Sequence, residues 1–157
     1  MSKPIPSPGS DRVGIALAAY LPDPAVFSEQ LESIVRQTHT SWICVVASDS
    51  SLSDLRASPQ LAKFFADPRF IWLENPIRLC HKKNFEKAIQ ALANLDGERR
   101  VRWIACSDQD DIWYPRKLEA GLSRLREAKP LSLVHSDMHV LRDDAVDQRT
   151  AWDIERR

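Results

Sequence analysis

Three carboxylates crowd into four positions in the segment Ser107-Asp108-Gln109-Asp110-Asp111-Ile112-Trp113. The run before them, Val101-Arg102-Trp103-Ile104-Ala105-Cys106, reads as a strand, so the acids fall at or just past its C-terminal end. In open α/β sheets that is where ligands bind. Two carboxylates about 4 Å apart repel by roughly 4 kcal/mol at an effective dielectric of about 20. A divalent cation removes that cost, and an all-oxygen donor set suits Mg²⁺ or Mn²⁺. The plain alternative is a solvated turn that caps the next helix. Ile112 and Trp113 weigh against it, because a free surface loop does not favour two large apolar residues directly after the acids. Tyr114-Pro115 then opens a helix with Pro near its first position.

The elements that must hold this segment alternate along the chain. Val13 to Ala19 (VGIALAA) is a first strand, ended by Tyr20-Leu21-Pro22. Asp23-Pro24 starts a helix in which Phe27, Leu31, Ile34 and Val35 keep helical spacing. Trp42 to Ala47 (WICVVA) is a second strand, and Ser48 to Ser53 a polar loop. Leu55 to Phe65 reads as helical at least in part, with Pro59 against it. Phe70 to Leu73 is a third strand, and Asn75 to His81 a loop. Phe85, Ala88, Ile89, Leu92 and Leu95 mark an amphipathic helix ending near Gly97. After the acids, Leu118, Leu122 and Leu125 sit at helical spacing until Pro130. Leu131 to His135 is a further strand candidate, and Met138 to Leu141 with the residues after Asp144 a hairpin. Strands alternating with helices predict a mostly parallel sheet covered by helices.

A chain of 157 residues with 43% hydrophobic content supports one domain with a real core. A formal net charge of zero points to neither nucleic acid nor an anionic membrane surface. Cys44, Cys80 and Cys106 have no metal spacing, and Cys44 and Cys106 read as buried thiols in apolar runs. That suits a reducing cytoplasm. The polar, Pro-rich start lacks the apolar stretch of a signal peptide, and no apolar run approaches a membrane span. Peripheral attachment at the inner membrane face, or a partner chain, stays open. The expected organisation is a flexible segment over 1–12, one folded domain over 13–141, and a charged tail or continuation over 142–157.

Other candidates are weaker alone. Asp49 lies just after the second strand, where a carboxylate can accept from a nucleobase imide N–H, although spacing alone favours a turn or helix cap. Lys82 and Lys83 place charge at a helix start, where the dipole and free N–H groups also favour a diphosphate. His135 and His139 flank Asp137, but on a strand they simply share one face, and no His-Glu-x-x-His pattern is present. Walker, Gly-x-Gly-x-x-Gly and Gly-x-Ser-x-Gly signatures are absent.

SDQDDIW, followed by Pro115 and Lys117-Leu118, resembles the Asp-x-Asp region of the family 2 inverting glycosyltransferases, most closely a bacterial rhamnosyltransferase-like branch. The resemblance covers 13–141 and implies a Rossmann-like nucleotide-diphosphosugar transferase (GT-A) fold, incomplete at the C-terminus. It implies transfer of a sugar, with inversion, from a UDP- or dTDP-linked donor to a glycan or lipid-linked acceptor in cell-surface polysaccharide synthesis. Asp110 with Asp108 would then hold Mn²⁺ or Mg²⁺ against the donor diphosphate, Asp108 also lying by the nucleotide. Asp111 would orient the loop or touch the sugar, and Asp137, in Ser136-Asp137, would lie near the sugar pocket. Asp49 matches the base-contacting Asp of the family's Asp-Asp-Gly-Ser loop, with Ser50 in place of the second Asp and Ser51 in place of Gly. Lys82-Lys83-Asn84-Phe85 is similar to the family's Lys-Asn-Phe helix start, and Cys80 stands where Gly is common. Tyr20 matches a Thr-Tyr step beside the base, and Gln37-Thr38-His39 a Gln-Thr-Tyr step that is structural. The catalytic base comes from a later segment in the family, and nothing here matches it. The alternatives are a truncated, non-catalytic nucleotide- or partner-binding fragment, and a phosphotransferase with Asp108 as nucleophile.

Overall fold

In the computed structural model, residues 11–129, 131–136, 138–142 and 145–150 are described. The order is β1 (Val13–Ala19), α1 (Pro24–Val35), β2 (Trp42–Ser48), α2 (Leu52–Ala57), α3 (Ala62–Ala66), β3 (Phe70–Glu74), α4 (Cys80–Ala93), a 3₁₀ turn Gly97–Arg99, β4 (Trp103–Ser107), α5 (Lys117–Glu127), β5 (His139–Arg142) and β6 (Ala145–Thr150). The chain divides into two compact units, the first ending at Glu119 and the second beginning at Ala120.

In the first unit four parallel strands form a sheet in the order β3-β2-β1-β4. This is the parallel, helix-covered sheet that the alternation predicts, in the Rossmann-like α/β architecture that the resemblance implies. β1 and β2 are buried along their whole length, as strands covered on both faces must be. One face carries Ala16, Ile43, Val45 and Ala47 under Ala88 and Leu92 of α4. The approach is close at Gly14, where a Cβ would lie 2.8 Å from the Leu92 side chain. On the other face Phe27 of α1 meets Trp72 edge-on at 6.2 Å, and Phe65 stacks on the same indole at 4.0 Å. Asp23 caps α1 by accepting from the N–H groups of Ala25 and Val26, and Pro24 fits its first turn.

The chain runs outward from β1 to β3 and then returns to place β4 on the far side of β1. The switch point is therefore at β1, and the register brings Ala19, Ser48 and Glu74 level at the strand ends. Among the described residues β4 pairs only with β1, so it is an edge. That exposure corrects one expectation. Cys44 is buried, and burial pushes its thiol far up, but Cys106 on the edge strand is exposed. What burial Cys106 has, together with the Asp108 charge, still raises its thiol.

Other expectations shift at their boundaries. The helix expected over 55–65 is two short helices broken around Pro59, which has no N–H for a helical bond. α4 begins at Cys80, earlier than its apolar periodicity suggests, and α5 begins two residues after Pro115. Ile112 is 51% exposed, so of the two apolar residues after the acids only Trp113 is a buried anchor. In the second unit the strand expected over 131–135 does not form. Leu131 has φ +63°, incompatible with an extended run, and residues 132–136 pair with no strand. His135 therefore shares no strand face with His139, which begins β5. The expected hairpin is present as antiparallel β5 and β6. The segment expected to be flexible falls almost wholly outside the described residues, as does the end of the charged tail, whose residues 145–150 form β6.

Candidate functional site

The carboxyl ends of β1, β2 and β4 open onto a cleft of about 280 Å³ at the switch point. It is lined from β1 by Tyr20, from β2 by Asp49, from the α4 approach by Arg78, Cys80, His81 and Asn84, and from the β4 turn by Asp108, Gln109 and Asp110.

Asp49 is fixed by its neighbours. Its N–H donates to the Ala19 carbonyl, and the Ser48 hydroxyl closes the next turn by accepting from Ser50 N–H at 3.0 Å. One carboxylate oxygen accepts from Asn75 Nδ2 at 2.7 Å and Leu79 N–H at 3.0 Å, the other from Cys80 N–H at 2.9 Å. Burial alone raises this carboxyl. The hydrogen bonds from Leu79, Asn75 and Cys80, with the Arg78 charge, outweigh it and hold Asp49 below its ordinary value. Asn75 also donates to Asn84 Oδ1 at 2.8 Å, and Asn84 Nδ2 donates to the Ala19 carbonyl at 3.3 Å. Lys87 Nζ donates to Asn75 Oδ1 at 2.5 Å. Asn84 is buried, with both ends of its amide engaged, and so ties α4 to the end of β1.

The two serines and the cysteine at glycine-type or acid positions behave differently. Ser51 has φ −58° and caps α2, so no left-handed backbone is needed there and the loop is not reshaped on that account. Ser50 Oγ accepts from Leu21 N–H at 2.6 Å. Cys80, in contrast, sits at φ +64°, where a Cβ is strained. A left-handed residue costs about 1–2 kcal/mol and glycine about 0.5–1 kcal/mol of chain entropy. Cys80→Gly is therefore expected to raise the melting temperature by roughly 2 °C, read by thermal denaturation. A lowered melting temperature would mean that the thiol makes compensating contacts.

The β4 turn is tied down from two sides. The Gln109 side chain accepts from Tyr20 N–H at 2.7 Å and donates to the Tyr20 carbonyl at 3.2 Å, clasping the backbone just past the end of β1. From beneath, a polar stripe on α1 meets the same segment. Gln30 Nε2 donates to the Ser107 hydroxyl. Trp113 N–H donates to Ser33 Oγ at 2.9 Å. Gln37 Nε2 donates to the Tyr114 carbonyl at 2.8 Å and Gln37 Oε1 accepts from Leu118 N–H at 3.0 Å. All three of these α1-side residues are buried. Across the cleft the Arg78 guanidinium lies 3.9 Å over the Tyr20 ring, and His81 Nε2 lies 2.9 Å from Asp108 Oδ1.

Of the residues selected from sequence, Tyr20, Asp49, Asn84, Asp108 and Asp110 share the cleft. Lys82 and Lys83 are exposed on the first turn of α4 and do not line it. Asp111 lies partly buried behind the turn. Burial, then the charges of Asp108 and Asp110, raise its carboxyl, opposed by Lys117. Burial in turn lowers the Lys117 ammonium. Asp137 lies outside the described residues. Arg78, His81 and Gln109 are cleft residues that sequence spacing did not single out.

Asp108 and Asp110 offer two carboxylates on one turn, and no three His, Cys, Asp or Glu side chains among the described residues form a ready metal cage. That arrangement fits Mg²⁺ or Mn²⁺, which are commonly held by one or two carboxylates with phosphate oxygens and water completing the shell.

The comparisons agree with this architecture. The chain is 26% identical over 114 residues to EpsE of Bacillus subtilis (strain 168), named as a glycosyltransferase, covering 72% of this chain and 38% of that protein. It is 32% identical over 100 residues to an uncharacterized glycosyltransferase of Rickettsia felis (strain ATCC VR-1525 / URRWXCal2), covering 63% of this chain and 15% of that protein. The chain thus spans well under half the length of either relative. The model of the family described as "Glycosyl transferase family 2" matches residues 19–149, most of the sequence. The chain belongs to glycosyl transferase family 2.

Proposed function

We propose that this chain forms the donor side of a sugar transferase, taking a sugar from a UDP- or dTDP-linked donor to a hydroxyl of a glycan or lipid-linked acceptor with inversion. The supporting observation is the cleft at the β1 switch point, with Asp49, Asp108 and Asp110 facing Arg78 and His81. Tyr20, backed by Arg78, offers an aromatic face to the base. Asp49 accepts three protein N–H bonds and retains acceptor capacity toward the cleft for a base imide N–H. Asn84 acts here by holding α4 in place, its amide being engaged. Lys82 and Lys83 add positive potential at the α4 start, where a diphosphate is favoured. Asp108 and Asp110 would hold Mn²⁺ or Mg²⁺, which when bound neutralises charge building on the leaving diphosphate. Asp111 orients the turn beside the sugar, and Asp137 is assigned near the sugar pocket from the resemblance alone. Inversion requires a base within reach of the acceptor hydroxyl, and none of these residues is assigned to it.

The rhamnosyltransferase-like wording of SDQDDIW makes dTDP-rhamnose the donor of choice and cell-surface polysaccharide synthesis the setting. No helix among the described residues is long and apolar enough to cross a membrane, and peripheral association with its inner face is part of the proposal. The test is incubation with UDP- and dTDP-sugars plus Mn²⁺, following the anomeric configuration of the released or transferred sugar by NMR. Metal-dependent consumption with inversion supports the proposal. Retention, or equal turnover without metal, contradicts it.

A second reading, a nucleotide- or partner-binding chain without transfer, is favoured by the β4 edge, where Ile104 is 42% exposed and Cys106 is exposed beside it. Donor binding with no consumption is its signature.

A further inference from the structure

We infer that His81 is a protein ligand of the cleft cation, making the site a mixed nitrogen and oxygen site that prefers Mn²⁺ to Mg²⁺. This presupposes that Asp108 and Asp110 hold a cation as proposed above. Two neighbouring ligands at a right angle, each about 2.1 Å from an ion, stand about 3.0 Å apart. His81 Nε2 and Asp108 Oδ1 stand 2.9 Å apart, the edge that one ion would span.

Three features place the imidazole there. The left-handed turn at Cys80 begins α4 and sets the direction in which the next residue leaves the backbone. Cys80 N–H is itself pinned by Asp49, so the turn is held from the β2 end. The ring meets Phe85, one helical turn on, edge-to-face at 4.9 Å. His81 and Asp110 both line the cleft that Asp108 lines. The three side chains do not form a ready cage, so Asp110, which is exposed, has to turn toward an ion anchored at the other two.

Without an ion, a proton on Nε2 makes the contact a hydrogen bond to Asp108. A neutral ring carrying its proton on Nδ1 presents the Nε2 lone pair instead. An ion between the two atoms then takes the place of that proton. Mg²⁺ takes oxygen ligands almost exclusively, whereas first-row transition ions accept imidazole beside carboxylate. The opposite reading of the same contact makes His81 a latch that must leave Asp108 before an ion can bind. The two readings predict opposite signs for removal of the ring.

The experiment binds Mn²⁺ to the whole chain, alone and with UDP, followed by electron paramagnetic resonance with detection of ¹⁴N coupling. Mg²⁺ is titrated as a competitor. Wild type is expected to show imidazole ¹⁴N coupling. His81→Ala, at an exposed position where folding is checked by circular dichroism, is expected to lose it. Mn²⁺ affinity should fall at least about tenfold, with Mg²⁺ affinity unchanged. His81→Gln should give Mn²⁺ binding without ¹⁴N coupling. Mn²⁺ bound in wild type with no ¹⁴N coupling, and lost in Asp110→Ala, would overturn the role of His81 while leaving the carboxylate site intact. Tighter Mn²⁺ binding in His81→Ala would establish the latch instead. No Mn²⁺ binding to wild type in either condition would overturn both the His81 role and the cation site beneath it.

Discussion

Trp113→Ala is expected to lower stability by about 3–5 kcal/mol, the range for removing a large buried aromatic side chain. The indole is 5% exposed and follows the acid turn directly. The backbone N–H of Trp113 donates to Ser33 Oγ, one contact of the polar stripe that also holds Ser107, Tyr114 and Leu118, and this bond survives the substitution. Losing the indole leaves the last acids of the turn without their anchor. The melting temperature should fall by roughly 10 °C or more, and metal-dependent nucleotide binding should weaken in protein that is still folded. Trp113→Phe keeps most of the buried area and should cost much less. A loss below about 1 kcal/mol for Trp113→Ala, from denaturant titration, would mean that the turn is held by the backbone bonds alone.

Asp49→Ala should cost about 2–3 kcal/mol. It removes the acceptors of three donors, Asn75 Nδ2, Leu79 N–H and Cys80 N–H. Leaving a fully buried donor unpaired costs about 1–3 kcal/mol, and each donor here costs less because the Asn75 and Leu79 contacts are half-buried and the Cys80 contact is exposed. Asn75 keeps Asn84 as a second acceptor, which limits the loss. The acid limb of stability tests the same carboxylate without deleting it. Asp49 has a lowered folded value, because its hydrogen bonds and the nearby Arg78 outweigh burial. Its contribution is therefore present above the unfolded value of about 3.9 and is lost as pH falls through the folded value. Asp49→Asn should be less stable than wild type at neutral pH, and the gap should close as pH drops below about 4. A gap that stays constant with pH would show that the charge of Asp49 adds nothing to the clamp.

Much of this arrangement could be read from local pattern. The bounds of β1 match the apolar run 13–19, and Asp23-Pro24 marks the α1 start, because both signals are local. The acid segment stands out for the same reason: its chemistry lies within a few consecutive residues. Signals that depend on a partner elsewhere in the chain were harder to read. Cys106 looks like a core thiol until β4 is seen to lie at a sheet edge. Ile112 and Trp113 look alike in sequence, yet Trp113 is buried with its backbone N–H on Ser33 while Ile112 is half-exposed. Arg78 and His81 are unremarkable in a loop and at a helix start. They become cleft residues because the chain reverses its order at β1 and brings the α4 approach against the β4 turn. The stripe of Gln30 and Ser33 on α1, with Gln37 just past its end, reads as polar spacing, and it is buried because it meets the Ser107 hydroxyl and backbone groups about 80 residues away. Cys80 was suspect as a replacement for glycine, and its positive φ gives that suspicion a physical basis.

The most direct measurement is calorimetric titration of the chain with UDP and with dTDP, each with and without Mn²⁺, in wild type and Asp110→Ala. The account predicts binding of at least one nucleotide that requires Mn²⁺ and is lost in Asp110→Ala while the protein stays folded. Equal affinity with and without the ion, or binding unaffected by Asp110→Ala, would contradict the assignment of Asp108 and Asp110 as the donor's metal site. Failure to bind either nucleotide would contradict the donor cleft itself.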